Sequence, residues 1–126
     1  MAEGMSLFMA TGVLNALGNA SPFVCAQPWI QLHTGPPGSA GTAAVAPSIP
    51  RMLVPFANAG QSITNDAAIT WTNVQGAADP THFSMWDAAA GGNFFASGVI
   101  NSVPYAVGNT LNIPSGALVI SFTIAT

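Results

Sequence analysis

From Pro28 onward the chain never runs far without a turn signal, and that punctuation limits what it can become. Gly35-Pro36-Pro37-Gly38, Asn65-Asp66, Ala88 to Gly92 and Pro114-Ser115-Gly116 cut it into short apolar runs. Proline fixes one backbone angle and lacks a donor, while Gly, Asn and Asp adopt turn conformations that other residues avoid. Ordinary helices do not fit between such breaks, but short strands do. Pro28 to Thr34 carries Trp29, Ile30 and Leu32. Met52 to Phe56 is apolar but interrupted by Pro55, which predicts an edge strand. Ser62 to Asn65 and Ala68 to Asn73 follow, with Ile69 and Trp71 two apart and so on one face. Thr81 to Asp87 sets Phe83 and Met85 on one face and His82, Ser84 and Trp86 on the other; Phe94 to Ile100 returns as its hairpin partner. Thr110 to Ile113 and the alternation of Leu118, Ile120, Phe122 and Ile124 complete the series. About eight short strands, with breaks roughly every 8 to 12 residues, read as a mainly β chain, an antiparallel β-sandwich of jelly-roll-like kind.

One segment has a different rhythm. Between Gly4 and Gly18, Phe8, Met9, Leu14 and Leu17, with Val13 beside them, recur at helical spacing. Ser6 is placed to cap the start, and Gly18-Asn19 supplies a stop. The expected organisation is a helical arm over residues 1–20 and one sandwich domain over 21–126. Within the domain, Ser39 to Pro50 is rich in Ala, Gly, Ser and Pro without any period. It reads as an extended loop, and a structureless loop of that length is often a binding element. Both it and the N-terminal segment are expected to reach neighbouring chains.

Charge narrows the function classes. Glu3, Arg51, Asp66, Asp79 and Asp87 are the formally charged side chains, 4% of the 126 residues. An ordinary domain has about 25%. A surface this poor in charge favours association. A membrane span would need about 18 consecutive apolar residues, and no such stretch occurs. The apolar opening, Met1 to Ala20, lacks the positive start of a signal peptide. One basic residue gives nucleic-acid binding almost no electrostatic basis. Cys25 is the single cysteine, so no internal disulfide forms; its apolar setting reads as a buried, inert thiol. Assembly with other protein chains is the reading that remains.

The chain offers little to catalysis. No nucleophile elbow surrounds any serine, so His33 and His82 have no evident catalytic partner. Asp66, Asp79 and Asp87 lie in different turns, which argues against paired acid–base chemistry. Asp79 and His82 could meet around Pro80, but two ligands do not make a specific metal site. Gly91-Gly92 lacks the lysine and helix of a phosphate loop. No catalytic residue, metal or cofactor is expected. Trp29, Trp71, Trp86 and Tyr105 could stack on a sugar, although such aromatics are more often core or interface anchors. Arg51 stands alone and calls for an acidic or carbonyl partner, on its own chain or a neighbour, unless it is simply exposed. Phe8, Met9, Leu14, Trp29, Arg51 and Trp86 are the residues expected at an interface.

Three stretches resemble a known family. The first is Trp29-Ile30-Gln31-Leu32-His33-Thr34-Gly35-Pro36-Pro37-Gly38, continuing to Thr42. The second is Thr81-His82-Phe83-Ser84-Met85-Trp86-Asp87, continuing through Gly91-Gly92-Asn93 to Gly98. The third is Val107-Gly108-Asn109-Thr110-Leu111-Asn112-Ile113-Pro114, continuing to Leu118. In order and spacing they are similar to small tail-fibre-like or minor tail proteins of tailed phages. The resemblance runs from Trp29 to the end, with the Thr81 hairpin its most specific part. Pro36 and Asn109 stand where the family usually has acidic residues, and a Tyr-Ala-Arg segment of many members is represented only by Ile49-Pro50-Arg51.

The resemblance implies a virion structural protein without enzymatic activity, assembled in the host cytoplasm. Its partners would be other virion proteins, tail or major capsid, and further copies of itself, a trimer being one form. Tail association is the first expectation. A capsid decoration or cement protein is the alternative, and a carbohydrate-binding receptor module the third.

Overall fold

The computed structural model describes residues 4–18, 22, 23, 27–58 and 62–121. Cys25, Phe122 and Ile124 lie outside them. The described chain is one helix followed by nine short antiparallel strands. α1 spans Leu7–Leu17. The Ser6 side chain accepts from the Met9 amide, 3.1 Å away, and satisfies one of the helix's free N-terminal donors. Gly18 caps the other end.

The first sheet contains β1 (Trp29–His33), β2 (Met52–Leu53), β6 (His82–Trp86) and β7 (Phe94–Val99), in the order β2-β1-β6-β7. The second contains β3 (Phe56–Asn58), β4 (Ser62–Asn65) and β9 (Val119–Ser121), in the order β3-β4-β9. β5 (Ile69–Trp71) and β8 (Leu111–Ile113) pair as a third. One core cluster draws on all three: Ile30, Leu32, Phe83 and Met85 from the first, Ile120 from the second, and Ile69, Trp71, Leu111 and Ile113 from the third. This is the sandwich that the punctuation predicts. Pro55 divides what would be one edge strand into β2 and β3, because its ring nitrogen has no hydrogen to give a ladder.

The hairpin forms as expected. Phe83 pairs with Gly98 and Met85 with Ala96, and between Met85 and Trp86 a bulge shifts the register so that Trp86 faces Phe94. The N-terminal segment protects the far side of β7. Met5 bridges Ala96, the Ser6 amide donates to the Phe95 carbonyl (2.7 Å), and the Ser97 amide donates to the Gly4 carbonyl (2.7 Å). An edge with unpaired amides would otherwise template pairing with another chain.

The segment 39–50 corrects an expectation. It has no regular strand, as a loop should, but it does not extend as an arm. Val45 bridges His33, and the Thr34 and Ala46 amides donate to Ala44 and Leu32 carbonyls at 2.7 and 2.9 Å. Ala46 and Ile49 are core residues. Trp71 Nε1 donates to the Pro50 carbonyl at 2.8 Å, and the Tyr105 hydroxyl donates to that of Pro47. The loop therefore lies against its own domain. Its small residues, aperiodic in sequence, let the backbone come close enough to saturate these donors.

Candidate interaction surface

The outer face of the first sheet is set by strand alternation. Trp29, Gln31 and His33 of β1 stand beside Trp86, Ser84 and His82 of β6, opposite the Ile30–Met85 and Leu32–Phe83 pairs that face the core. This outer face carries a buried polar relay. Trp86 Nε1–H donates to Ser84 Oγ (2.8 Å), His33 Nε2 lies 2.7 Å from the same oxygen, and His33 Nδ1 lies 2.7 Å from the Ala43 carbonyl. A carbonyl only accepts, so Nδ1 holds the proton and Nε2 accepts from the Ser84 hydroxyl. His33 is thereby neutral, and burial, opposed by the Ala43 bond and reinforced by His82 and Arg51, pushes its pKa below the usual histidine value.

Arg51 closes the end of this face. Its guanidinium carbon sits 3.9 Å from the centroid of the Trp86 ring. Its Nη1 donates to the Ala88 and Gly91 carbonyls at 2.9 and 2.7 Å, and Nε reaches Gln31 Oε1 at 3.5 Å. The partner that the sequence left open is therefore the hairpin turn of its own chain. Within that turn Asp87 accepts from the Asn93 amide (2.7 Å) and from Asn93 Nδ2 (2.9 Å). Desolvation alone would raise the Asp87 pKa, but these bonds, its own backbone amide and nearby Arg51 hold it below the usual carboxylate value.

Among the described residues no three of His, Cys, Asp or Glu stand close enough to hold a metal ion. Asp79 takes its hydrogen bond from the Ser102 hydroxyl. Trp71, Trp86 and Tyr105 are buried and Trp29 is half-buried, so the first three offer no open ring to a sugar. No described helix is long and apolar enough to cross a membrane.

The six residues expected at an interface separate into two groups. Trp29, Arg51 and Trp86 belong to the closed end of the first sheet, and Trp86, 5% exposed, is not an open anchor; the strand buries it under the Arg51 guanidinium. Phe8, Met9 and Leu14 belong to α1. Met9 packs half-buried against the core, and Phe8 stacks its ring against Phe23 and Phe95 with centroids 5.9 and 5.3 Å apart. Leu14 points away, 65% exposed. The single helical face expected from the sequence is thus two faces. A step of five residues, as from Met9 to Leu14, turns about 140° around a helix of about 3.6 residues per turn. Leu7 and Leu17, each 81% exposed, join Leu14 on the open side. Leu7 was missed because the expected stripe began at Phe8; the three-and-four spacing from Leu7 was the signal that could have found it.

A small β-sandwich that turns an apolar helix face outward has the make-up of a structural subunit. The family is specific. The family model described as Podophage GP4 fiber I protein gp80 matches residues 4–121, a span that includes every described residue, and the protein belongs to that family. It is a phage fibre-type structural protein and hence a virion component. No curated protein matches it.

Proposed function

We propose that this protein is a tail-associated fibre component that works by packing against other virion proteins and has no enzymatic activity. The observation that carries the reading is the apolar open side of α1 on a chain with five formal charges, joined to membership of a fibre family. Exposed leucines without charge are characteristic of surfaces that partners cover.

Capsid decoration is the second reading, favoured by the scarcity of charge, which suits a subunit crowded by neighbours on every side. Copy number separates the two. The chain is quantified by mass spectrometry in purified particles against the major capsid protein. A ratio far below one supports the tail, and a ratio near one moves the protein to the head. Absence from particles removes both.

A further inference from the structure

Residues 34–46 lie as a strap over the outer face of the first sheet, and they are held at few points. The Thr34 amide donates to the Ala44 carbonyl at 2.7 Å, the Ala46 amide to the Leu32 carbonyl at 2.9 Å, and His33 Nδ1 to the Ala43 carbonyl at 2.7 Å. Gly41 lies against the Phe94 ring, so close that a Cβ would fall 2.6 Å from it. Pro37, Gly41 and Ala46 are buried, and the rest of the strap reaches solvent. Ala44 has φ +56, a left-handed conformation that strains an alanine. A segment with few buried side chains and a strained backbone opens before the core does. Both ends are fastened: β1 leads into the Gly35-Pro36-Pro37-Gly38 turn, and beyond the strap the Tyr105 hydroxyl and the Trp71 indole hold the Pro47 and Pro50 carbonyls. Beneath the strap, His33 has no exposed surface.

We infer that residues 34–46 are an acid-released strap: protonation of His33 lifts them from the sheet while the sandwich stays folded. The proton comes from solvent and binds Nε2, whose lone pair accepts from the Ser84 hydroxyl in the closed form. Ser84 Oγ also receives the Trp86 indole proton, so its own hydrogen then loses its acceptor. The imidazolium carries a charge with no water and no acidic partner. His82 on β6 and Arg51 ahead of β2 both oppose it. Asp87, in the turn after β6, is bonded to Asn93; β7 and the strap contain no titratable side chain, and Tyr105, whose pKa burial raises, stays neutral. Hydrating the charge requires a cover to move, and the strap is the cover held most lightly. In the open form the imidazole regains its ordinary proton affinity. The opening equilibrium is therefore constant above about pH 6.5 and rises by up to about tenfold per pH unit below it, until the closed form itself titrates. Release uncovers Ser84 and the Phe94 ring. The device goes beyond the fibre reading and does not rest on it.

The test is amide hydrogen exchange on the full chain by NMR, read as protection factors between about pH 7 and about pH 5, with and without low urea. The Thr34 and Ala46 amides report on the strap, and the Leu118 amide, bonded to Asn65 at 2.9 Å, reports on the core. Thr34 and Ala46 should be less protected than Leu118 and should lose up to about tenfold in protection per pH unit on acidification. Low urea should leave their protection unchanged while lowering that of Leu118, because lifting the strap exposes little surface. In His33→Asn the side-chain amide keeps a donor for Ala43 but does not titrate, so the acid response should vanish. Equal protection and equal urea response at all three amides would show that the strap opens only by global unfolding, and would overturn the inference. So would an acid response that survives in H33N. The wild-type comparison stands whether or not H33N folds, and there the His33 ring protons must titrate together with the loss of strap protection; titration at a separate pH removes His33 as the trigger.

Discussion

His33 and Ser84 meet diagonally across β1 and β6, ring nitrogen to hydroxyl at 2.7 Å, both with no exposed surface. The contact is one link in a relay that runs one way, from the Trp86 indole through Ser84 and His33 to the Ala43 carbonyl. A second proton on the imidazole would place a donor where the Ser84 hydroxyl already donates. It would also put a charge beside His82 and Arg51, both of which disfavour it.

The pH dependence follows from the sign of that shift. The folded pKa of His33 lies below the unfolded value of 6.5. The unfolded state therefore takes up a proton first on acidification. The stability that neutral His33 provides is fully present above about pH 6.5 and is lost as pH falls from there through the folded pKa. Urea midpoints should decline over that window. In His33→Gln they should be lower at pH 7 but flat across it. A wild-type profile just as flat would show that this histidine does not titrate against folding. Asp87, held below its ordinary value of 3.8, contributes a separate loss as the pH falls below that value.

Arg51 is expected to hold the hairpin turn through geometry as well as charge. Arg51→Ala removes two charge-assisted bonds to carbonyls and the cation over Trp86, a loss of about 2 kcal/mol. Arg51→Lys should recover less than half of it, since one ammonium cannot lie flat on the ring while reaching both carbonyls. Denaturant titration followed by tryptophan emission measures both, because the ring at stake is itself the probe.

Asn65 joins β4 to the turn between β8 and β9. Its Nδ2 donates to the Ala67 and Pro114 carbonyls at 2.9 and 3.0 Å, and its Oδ1 accepts from the Leu118 amide at 2.9 Å. The residue is 1% exposed. Asn65→Ala removes all three bonds, leaving the Pro114 carbonyl only the Ala117 amide at 3.2 Å, and should cost about 3 kcal/mol. Asn65→Asp should be at least as damaging at neutral pH, because a carboxylate cannot donate to either carbonyl. Equal stability of wild type and Asn65→Asp would contradict this account.

Gly98 and Gly108 make a paired test of steric cause. A Cβ at Gly98 would lie 2.6 Å from the ring of Phe83, which has no exposed surface and little room to move. Gly98→Ala should cost roughly 1–3 kcal/mol through overpacking. Gly108 has φ +85 and open space around it, so Gly108→Ala should lose only about 1 kcal/mol, from backbone strain. Thermal melts that rank the two in the opposite order would refute the packing argument.

Much of the fold is local and could be read locally. Ser6 was recognisable as a cap because its role involves a residue three positions on. The edge placement of β2 and β3 follows from Pro55 alone, and the β6–β7 hairpin from alternation on either side of a glycine turn. Other features depend on groups far apart in sequence. The partner of Arg51 lies about forty residues away in a turn whose carbonyls have no signature in sequence. The segment 39–50 resembled a free arm because its small residues show no period; their hydrogen bonds go to β1, Trp71 and Tyr105, and only the folded chain brings those together.

The sequence by itself determined the class of fold, the strand breaks, the capped helix and the scarcity of charge, because each depends on near neighbours or on composition. Tertiary structure decided which apolar groups are available to a partner. Trp86 and Leu14 are both large and apolar in sequence. One is buried beneath Arg51 and the other is left open, since exposure depends on what the rest of the chain packs against each of them.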